Sequence, residues 1–532
     1  MVDVFSLRDR RPAATAAAEV DPVPGPTPSG RVRAAVAAAV GLTTTALALL
    51  QLFAVRTVGL ADNGDAHRLV CRLGLAIGPD SSQQGFESTY EAAETCPPGG
   101  GFQYRTSWSP VLRLTYWAEQ QVTGDPGMDI AVVGVVTAVL LGAGAALLFL
   151  ALPGRLSARW PLVALVVVAA CDIGFVTYFN SGYTDQAGFV GLLWVCAGVV
   201  GLVTRRTWPW LLLTAGAVLF TAIAKTALLT VVPAVALALL LSRRHWAGRP
   251  AVGRWPVRRL GLVLVLAGVL LTGLVGQVAR SQGYMLTTGN QYNLLFHTLL
   301  PESADPEADL REMGLPTELA RFTGTNAWET DTPWDDPDLV ASEDTLFSWG
   351  TYAEFFAAHP GRFLELVPTS FDAVTEARVD YLANLPGEAG GDPPLAERPS
   401  PVFWVLGLLP TGWPVPSIVF VWLGGAVLGV RWARSRDAVR AVRGVLAVLL
   451  TSYAVSQSVV ALSDGYYELA KHNIHAALAT GLLLAVLLEA GARTAVAAIG
   501  RRRAGRTAPA TPQPEDDVAS AGTAPAPAGD AR

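Results

Sequence analysis

Charged residues are scarce in this chain. They account for 16% of its 532 residues, while hydrophobic residues account for 51% and the mean hydropathy is +0.38. Soluble proteins carry about 25% charged residues, so the composition excludes an ordinary soluble enzyme. The sequence predicts an integral membrane protein instead.

The chain also lacks the motifs of several common classes of protein. It has no GxxxxGK[ST] loop for nucleotide phosphates, no GxGxxG turn after a predicted strand, and no zinc-ligand spacing. No internal repeat is evident. The formal net charge is -5 and the predicted outer loops contain no basic patch, which argues against nucleic acid as a partner.

Cysteines are few as well. Cys71 and Cys96 fall in a predicted outer loop, where oxidation is permitted, whereas Cys171 and Cys196 lie within apolar spans. A disulfide between Cys71 and Cys96 is one interpretation, and two unpaired thiols are the other.

Long apolar runs, in contrast, are abundant. A helix of about 17 to 25 apolar residues crosses the hydrocarbon core of a bilayer. Ten such segments cover residues 34–55, 129–152, 160–178, 186–204, 208–224, 226–242, 260–279, 402–430, 444–462 and 473–492. The predicted fold class is therefore an all-α polytopic membrane protein with about ten transmembrane helices.

Arginines occupy alternate connections between these spans. They precede residue 34 and recur in the segments 155–159, 205–206, 243–259, 431–443 and 501–503. Because Lys and Arg in short loops stay on the cytoplasmic side, both termini are predicted to be cytoplasmic. Two outer loops follow from this, and the later one, 280–398, carries 21 Asp and Glu against six Arg.

This orientation predicts five regions. A disordered cytoplasmic N-terminus (1–33) precedes transmembrane helices 1 to 7 (34–279), whose first outer loop is 56–128. An extracytoplasmic region (280–400), helices 8 to 10 (401–492) and a disordered cytoplasmic tail (493–532) follow. Both terminal segments are rich in Ala, Pro and Thr. A polar stretch precedes the first span, so that span is expected to stay as an anchor and not to act as a cleavable signal.

The first outer loop places two carboxylates beside the membrane. Asp62 and Asp65 follow the first span directly, in the stretch GLADNGDAHRLVCRLGL. Residues 65–77 have the apolar spacing of an interfacial helix, in which His67 and Arg68 supply polar positions. Two interpretations stay open. Either the aspartates serve a reaction at the membrane surface, or Asp62 belongs to a turn and Asp65 caps the helix.

The short outer connection after the third span is unusually polar. In the stretch CDIGFVTYFNSGYTDQAG it carries Asn180, Tyr183 and Asp185, and Asp172 lies within the span itself. An ionisable residue inside a span is costly and usually faces a cavity or a partner. Asp172 therefore either serves a site or forms a structural hydrogen bond between helices.

Lysine is the rarest cation. Of 39 Lys and Arg residues only Lys225 and Lys471 are lysines, and both are predicted at outer ends of spans. Two compact ammonium groups there suggest contacts to phosphate, with Arg280 as a third candidate, although simple snorkelling to the interface is the alternative. The stretch SDGYYELAKHNIH adds Asp464 and His472 beside Lys471.

These features resemble the GT-C superfamily of polyprenyl-phosphate-sugar glycosyltransferases, and within it the WsfD-like hexose transferases of glycan biosynthesis. The stretches that carry the resemblance are ADNGDAHRL, YFNSGYTD, the pair Ala224-Lys225, NQYNLLFHTLLPESADPEADLREMGLP and LSDGYYELAKHNIHAAL. They are spread over most of residues 34–490. Similar proteins tend to have Ser-Phe-Tyr and a Glu at 181–185, where this chain has the shorter Asp185.

The resemblance implies transfer of one hexose from a polyprenyl-phosphate donor to a glycan, lipid or protein acceptor at the extracytoplasmic face of the cell membrane. Attack by an acceptor hydroxyl needs a base, for which Asp62 is the first choice and Asp65 the second. Members of this superfamily differ in their use of a divalent metal, and the sequence leaves a metal open.

The remaining candidate residues divide by expected role. The charge of the departing phosphate would be stabilised by Lys225, Arg280, Lys471 and His472. The substrates would contact His67, Arg68, Asn180, Tyr183, Asp185 and Asp464.

Two rival interpretations stay beside this one. A secondary transporter or flippase would also need buried ions, but the unusual polar residues lie on one side of the membrane and not at its middle. An O-antigen-type polymerase or ligase of lipid-linked glycans would be expected to use arginines as its leading outer groups. The two aspartates directly after the first span favour the GT-C interpretation.

Overall fold

The computed structural model describes residues 29–61, 65–76, 89–93, 106–242, 284–329, 332–379, 382–384, 398–410 and 416–507. The first half contains the helices α1 (Gly30–Phe53), α2 (His67–Val70), α3 (Ser109–Thr123), α4 (Ile130–Ala151), α5 (Leu156–Ala170), α6 (Ile173–Val176), α7 (Asp185–Arg205), α8 (Trp208–Ala224) and α9 (Val231–Leu241).

The second half begins with α10 (Tyr284–Tyr292), which continues into a π-helix (Asn293–Leu299). It then contains α11 (Pro306–Glu312), α12 (Pro337–Ala341), α13 (Glu343–Leu346), α14 (Trp349–Ala358), α15 (Pro360–Ala373), α16 (Pro401–Leu406), α17 (Ser417–Ala433), α18 (Ala438–Ala461), α19 (Leu469–His472) and α20 (Ile474–Thr507).

Five of the described helices, α1, α4, α7, α18 and α20, are long and apolar enough to cross a membrane. A sixth span forms if Leu156–Ala170 and Ile173–Phe179 are taken together, although they are bent by 54° at their junction. This supports a multi-pass membrane protein. The number ten is not confirmed, because the helices Trp208–Ala224, Thr226–Leu241 and Ser417–Ala433 are shorter and the predicted span 260–279 lies outside the described residues.

The bend between α5 and α6 explains Asp172. Its carboxylate accepts a hydrogen bond from the backbone N–H of Gly174 at 2.9 Å and so caps α6. It also accepts bonds from the Ser400 hydroxyl (2.8 Å) and the Val402 N–H (2.7 Å) at the start of α16. Of the two interpretations of Asp172, the structure supports the structural hydrogen bond.

The helices pack against one another because most of them carry apolar side chains on nearly all faces. α1 packs on α4, α4 on α7, and α7 on α8, while α18 contacts α9, α17 and α20, and α20 contacts α5. α7 joins these groups because it contacts both α18 and α20. Almost every residue of α7 is buried, as expected for a helix surrounded by other helices.

The region after residue 284 has a core of its own. Tyr292, Phe296, Leu310 and Leu346 are among its fully buried residues. Leu462, directly after α18, belongs to the same core. The region therefore folds as a helical unit that rests on the end of α18.

Two small antiparallel sheets connect the loops to one another. Strand β1 (Gly59–Leu60) pairs with β5 (Ala383–Asn384), and β2 (Leu75–Ala76), β3 (Thr89–Ala92) and β4 (Met128–Asp129) form the second sheet. The pairing of β1 with β5 connects the segment after α1 to the segment after α15.

Three predicted segments can be compared with the structure. The interfacial helix expected over 65–77 is only the short α2 and a 3-10 turn, because Gly74 ends it at a φ of 74° and β2 follows. The predicted span 402–430 is interrupted in the sequence by LLPTGWPVP, which favours a kink or a short piece followed by a helix, and the structure has the short α16 followed by α17. A disordered tail is predicted from residue 493, whereas α20 continues to Thr507.

Candidate functional site

The candidate residues gather where several helix ends meet. These ends are the start of α7, the break after α8, the short α19 and the start of α20, and the residues before α2 join them. We call the ionisable groups found here the lysine cluster, formed by Asp65, Asp185, Lys225, Glu468, Lys471 and His475.

Lys225 and Asp185 form the first half of the lysine cluster. The Lys225 ammonium lies 3.2 Å from Asp185 Oδ1, with side chains 20% and 3% exposed respectively. His475 Nε2 lies 3.1 Å from the same carboxylate oxygen. A carboxylate is thus held between a partly accessible lysine and a buried histidine.

Local backbone geometry makes this arrangement feasible. Lys225 has extended backbone (φ -154°, ψ 144°), which ends α8 and separates it from the 3-10 turn Thr226–Thr230. Gly188 lies one turn after Asp185, and a Cβ built there would be 2.3 Å from Cε1 of His475. The absence of a side chain at Gly188 therefore makes room for the imidazole.

Lys471 forms the second half of the lysine cluster. Its ammonium lies 2.8 Å from Asp65 Oδ2 and 2.8 Å from Glu468 Oε2, and its side chain is only 1% exposed. Its Nζ also lies 5.3 Å from the ring centroid of Tyr183. Asp65, at 36% exposure of its side chain, is the most accessible of these groups.

Electrostatics keep Lys471 charged. Burial alone would lower the pKa of its ammonium, but the negative charge of Asp65, together with Tyr183 and Glu468, raises that pKa well above its ordinary value. The stabilisation from this pairing is therefore fully present below the ordinary pKa of lysine and is lost only as the pH rises through the raised value.

A chain of polar contacts lies beside the lysine cluster. His472 Nε2 is 3.0 Å from Asp464 Oδ2, and Asn293 of the π-helix donates to Asp464 Oδ1 at 2.8 Å. The N–H of Ala327 in turn donates to the Asn293 amide oxygen at 2.7 Å. The region after residue 284 thereby fixes the carboxylate of Asp464, and this carboxylate positions the ring of His472.

Two further side chains at this site were not among the predicted site residues. Burial raises the pKa of the Tyr467 hydroxyl, and the nearby negative charge of Glu468 raises it as well. The charges of Asp464 and Asp65 act in the same direction. The ring of His297 lies edge-on to that of Tyr467 with centroids 6.1 Å apart. A π-helix often marks a functional site. The stretch NLLFHTL that forms this π-helix has no periodic pattern from which the sequence could predict it.

Two predicted substrate contacts have structural roles. Asn180 is fully buried and its amide donates to the Val58 carbonyl at 2.7 Å. The Tyr183 hydroxyl donates to the Ala61 carbonyl at 2.8 Å. Both residues thereby fix the segment that follows α1, and Tyr183 also lies under Lys471.

Several predictions lie outside the described residues. These are Asp62, Arg280, Cys96 and the side chains of His67 and Arg68. Cys71 is disulfide-bonded, as one of the two interpretations expected, and Cys171 and Cys196 are free thiols. Within the described residues, no group of three or more His, Cys, Asp or Glu is arranged to hold a metal ion.

The arrangement was only partly foreseen. Each of the two lysines, which the sequence predicts to contact phosphate, is paired with carboxylates in the structure. Lys225 keeps an accessible fraction and one carboxylate partner, while Lys471 is buried between two. Lys225 is therefore better placed to contact an anion from outside, and Lys471 to hold Asp65.

Comparison with known proteins gives one match. The model of a family described as the YfdI N-terminal transmembrane domain matches residues 28–506. No curated protein and no solved structure matches the chain.

Proposed function

Because the chain belongs to the family of the YfdI N-terminal transmembrane domain, a GT-C-like family of membrane proteins, we propose that it is a glycosyltransferase. It transfers a hexose from a polyprenyl-phosphate donor to a cell-surface glycan, lipid or protein acceptor on the extracytoplasmic face. The hexose and the closer likeness to WsfD-like transferases come from the sequence resemblance.

The observation that carries this proposal is the contact between Lys471 and Asp65. It joins the first outer loop to the segment between α18 and α20, and the two residues are 406 positions apart along the chain. It also brings an accessible carboxylate to a buried ammonium. A transferase needs a base for the acceptor hydroxyl and a cation for the leaving phosphate within one site. The contact brings the loop that carries Asp62 and Asp65 to the site of Lys225 and Lys471, so carboxylates and cations are gathered there.

The two aspartates of the first loop take different roles in this proposal. Asp65 is bound to Lys471, and an ion-paired carboxylate is the weaker base. Asp62 therefore removes the proton of the acceptor hydroxyl as that oxygen bonds to the anomeric carbon. The bond from this carbon to the phosphate oxygen breaks in the same step, and the polyprenyl phosphate leaves with the electron pair.

The leaving phosphate is stabilised by Lys225, the more accessible lysine, with Arg280 and His472 as further candidates. Asp185 holds the Lys225 ammonium from the buried side, and His475 contacts the same Asp185 carboxylate. Asp464 orients His472 in the same way. A divalent metal between a carboxylate and the phosphate stays compatible with this scheme.

An assay of the purified full chain tests the proposal. The protein in detergent would be supplied with a panel of polyprenyl-phosphate hexoses and pentoses, and release of polyprenyl phosphate would be measured with and without EDTA. We expect turnover of at least one hexose donor and loss of turnover in the Asp62→Asn variant. No turnover of any donor by a folded protein, or equal turnover by that variant, would contradict the proposal.

The sidedness of the site needs a separate test. Ala341 in the late region and Ala438 at the start of α18 are both exposed, so Ala341→Cys and Ala438→Cys form a matched pair. A membrane-impermeant maleimide applied to intact cells should label the first and not the second. The opposite pattern would place the lysine cluster in the cytoplasm and contradict transfer at the outer face.

A further inference from the structure

The helix α3 carries a stripe of exposed apolar side chains. Leu114, Ala118 and Val122 recur at every fourth residue, so they lie on one side of the helix. Leu114 is 64% and Val122 is 86% exposed. We call these three residues the α3 stripe, and what covers it depends on where the helix lies.

The beginning of α3 is attached to α8. The Ser107 hydroxyl donates to the carbonyl of Phe220 at 2.5 Å, and the ring of Trp108 lies edge-on to that of Phe220 with centroids 6.2 Å apart. Trp108 is fully buried. Phe220 is four residues, or about 6 Å, before the end of α8 at Ala224. α3 therefore begins at the level of the last turn of α8.

The other end of α3 is attached to the start of α4. The Glu119 carboxylate accepts a hydrogen bond from the N–H of Asp129 at 2.8 Å, and Asp129 caps the first turn of α4. The Tyr116 hydroxyl donates to the Pro126 carbonyl at 2.7 Å. Both ends of α3 are thus fixed to the ends of apolar helices.

These two attachment points lie at the same end of the bundle. Lys225, directly after α8, pairs with Asp185 at the start of α7. A side chain at Gly134, in the first turns of α4, would meet the side-chain oxygen of Asn180, which precedes α7. The end of α8 and the starts of α4 and α7 are therefore level with one another, where the lysine cluster lies.

The length of α3 shows that it crosses the bundle and does not run along the spans. α4 packs on α7, and α7 packs on α8. Neighbouring helix axes lie about 8–10 Å apart, so α4 and α8 are about 16–20 Å apart. The 15 residues of α3 span about 22 Å. The helix therefore lies roughly parallel to the plane of the membrane, at its surface.

The exposed half of α3 changes from polar to apolar around the helix. Arg113 is exposed and lies nine positions before Val122, which places it half a turn away. Trp117, at 57% exposure, and Gln121 lie between Arg113 and the α3 stripe. Tryptophan is enriched at the depth of the lipid headgroups, and an amphipathic helix in the interface turns its apolar face toward the acyl chains.

The α3 stripe continues a surface that faces lipid. α8 contains no charged residue, and its Leu212 and Leu219 are 67% and 38% exposed. In a membrane protein such leucines contact acyl chains. A second copy of the chain suits the stripe less well, because three side chains are few for a stable interface, which buries about 800 Å² on each partner.

We propose that α3 lies in the surface of the bilayer at the end of the bundle that holds the lysine cluster. The α3 stripe contacts acyl chains, Trp117 lies among the headgroups and Arg113 points toward water. The sequence predicts an interfacial helix over 65–77, and this proposal assigns that role to α3. It does not depend on the glycosyltransferase proposal.

Site-directed spin labelling of the full chain in lipid nanodiscs tests the proposal. Ala118→Cys and Val122→Cys place a label on the α3 stripe, and Arg113→Cys is the matched control on the same helix. All three positions are exposed, so the substitutions leave the buried face of α3 unchanged. Power saturation measures how often each label collides with oxygen, which enters the acyl region, and with a water-soluble nickel chelate.

The native cysteines need a control of their own. Among the described residues, Cys171 and Cys196 are buried thiols and Cys71 is disulfide-bonded. The parent chain, treated with the same label, measures any background signal.

The expected result is a difference between the two edges of the helix. The ratio of oxygen to nickel collisions should be severalfold higher in Ala118→Cys and Val122→Cys than in Arg113→Cys. Nickel collisions in the first two variants as frequent as in Arg113→Cys would show that the stripe faces water, and would overturn the proposal.

A second copy on this face would give a third pattern. The labels on the α3 stripe would then be shielded from both oxygen and nickel, and pulsed EPR would detect pairs of labels within one nanodisc. That result would assign the stripe to an interface between copies and would also overturn the lipid assignment.

Discussion

The lysine cluster lies at one end of α18, and a second group of charged side chains, which we call the arginine cluster, lies at the other end and consists of Arg159, Arg443, Arg493 and Glu489. The two clusters balance charge in opposite ways. The first sets Lys225 and Lys471 against three carboxylates, Asp65, Asp185 and Glu468. The second sets three arginines against Glu489. One end has an excess of carboxylates and the other an excess of cations.

The choice of cation fits this difference. A guanidinium binds a carboxylate through two parallel hydrogen bonds and keeps its charge, so an arginine and glutamate pair fixes the packing of helices. An ammonium is a compact charge on a flexible stem and can exchange one anion for another. The contrast suggests that the arginine end stabilises the fold, while the lysine end is arranged to meet a substrate.

The largest effect is expected from the first outer loop. Asp62→Asn keeps the size of the side chain but cannot accept a proton, so transfer should fall about a hundredfold to ten-thousandfold with donor binding retained. Asp65→Asn should be milder, because Lys471 keeps Glu468. Rates of product formation on both purified variants decide this. If Asp65→Asn is the inactive variant, the roles of the two aspartates must be exchanged.

A stability measurement compares the two ends directly. Glu489→Gln removes the carboxylate partner of the buried Arg443 and the partly exposed Arg493 and should lower the free energy of unfolding by about 3–5 kcal/mol. Glu468→Gln is the control, since Lys471 keeps Asp65, and it should cost about 1 kcal/mol. Unfolding by SDS in mixed micelles measures both. Equal losses would mean that the two ends do not differ as argued.

Lys225 tests whether the accessible lysine meets the donor. Lys225→Ala should reduce kcat/KM for the donor by about tenfold to a hundredfold, the value of one or two charged hydrogen bonds. Lys225→Arg should restore only part of this, because the guanidinium is larger and planar. Steady-state kinetics with the best donor would show it. Unchanged kinetics in Lys225→Ala would make this residue an interfacial anchor.

The smallest effect concerns the packing of His475. Gly188→Ala places a Cβ against the imidazole and should destabilise the protein by about 1–3 kcal/mol, the usual cost of overpacking. Gly424→Ala is the matched control, because a Cβ there meets no atom within 4 Å. Melting temperatures of the two variants in detergent decide between them. A neutral Gly188→Ala would show that the contact between His475 and Asp185 tolerates displacement.

Much of the architecture follows from composition and apolar run length. The scarcity of charge and the long apolar segments predict a polytopic helical protein, because only helices satisfy their backbone within lipid. The polar connection that contains Asp185 and the break at Lys225 are visible in the sequence as interruptions of these runs. Such signals locate candidate residues along the chain without stating which of them meet.

Tertiary structure decided the partners. Asp65 and Lys471 are 406 residues apart in sequence, and no periodicity encodes a contact over that separation. The same holds for Asp172, whose carboxylate looks functional within an apolar span and caps α6 instead. It holds also for Gly74, which ends the predicted interfacial helix because β2 pairs with β3. Local patterns determine which segments are apolar, while the ion pairs depend on how those segments pack.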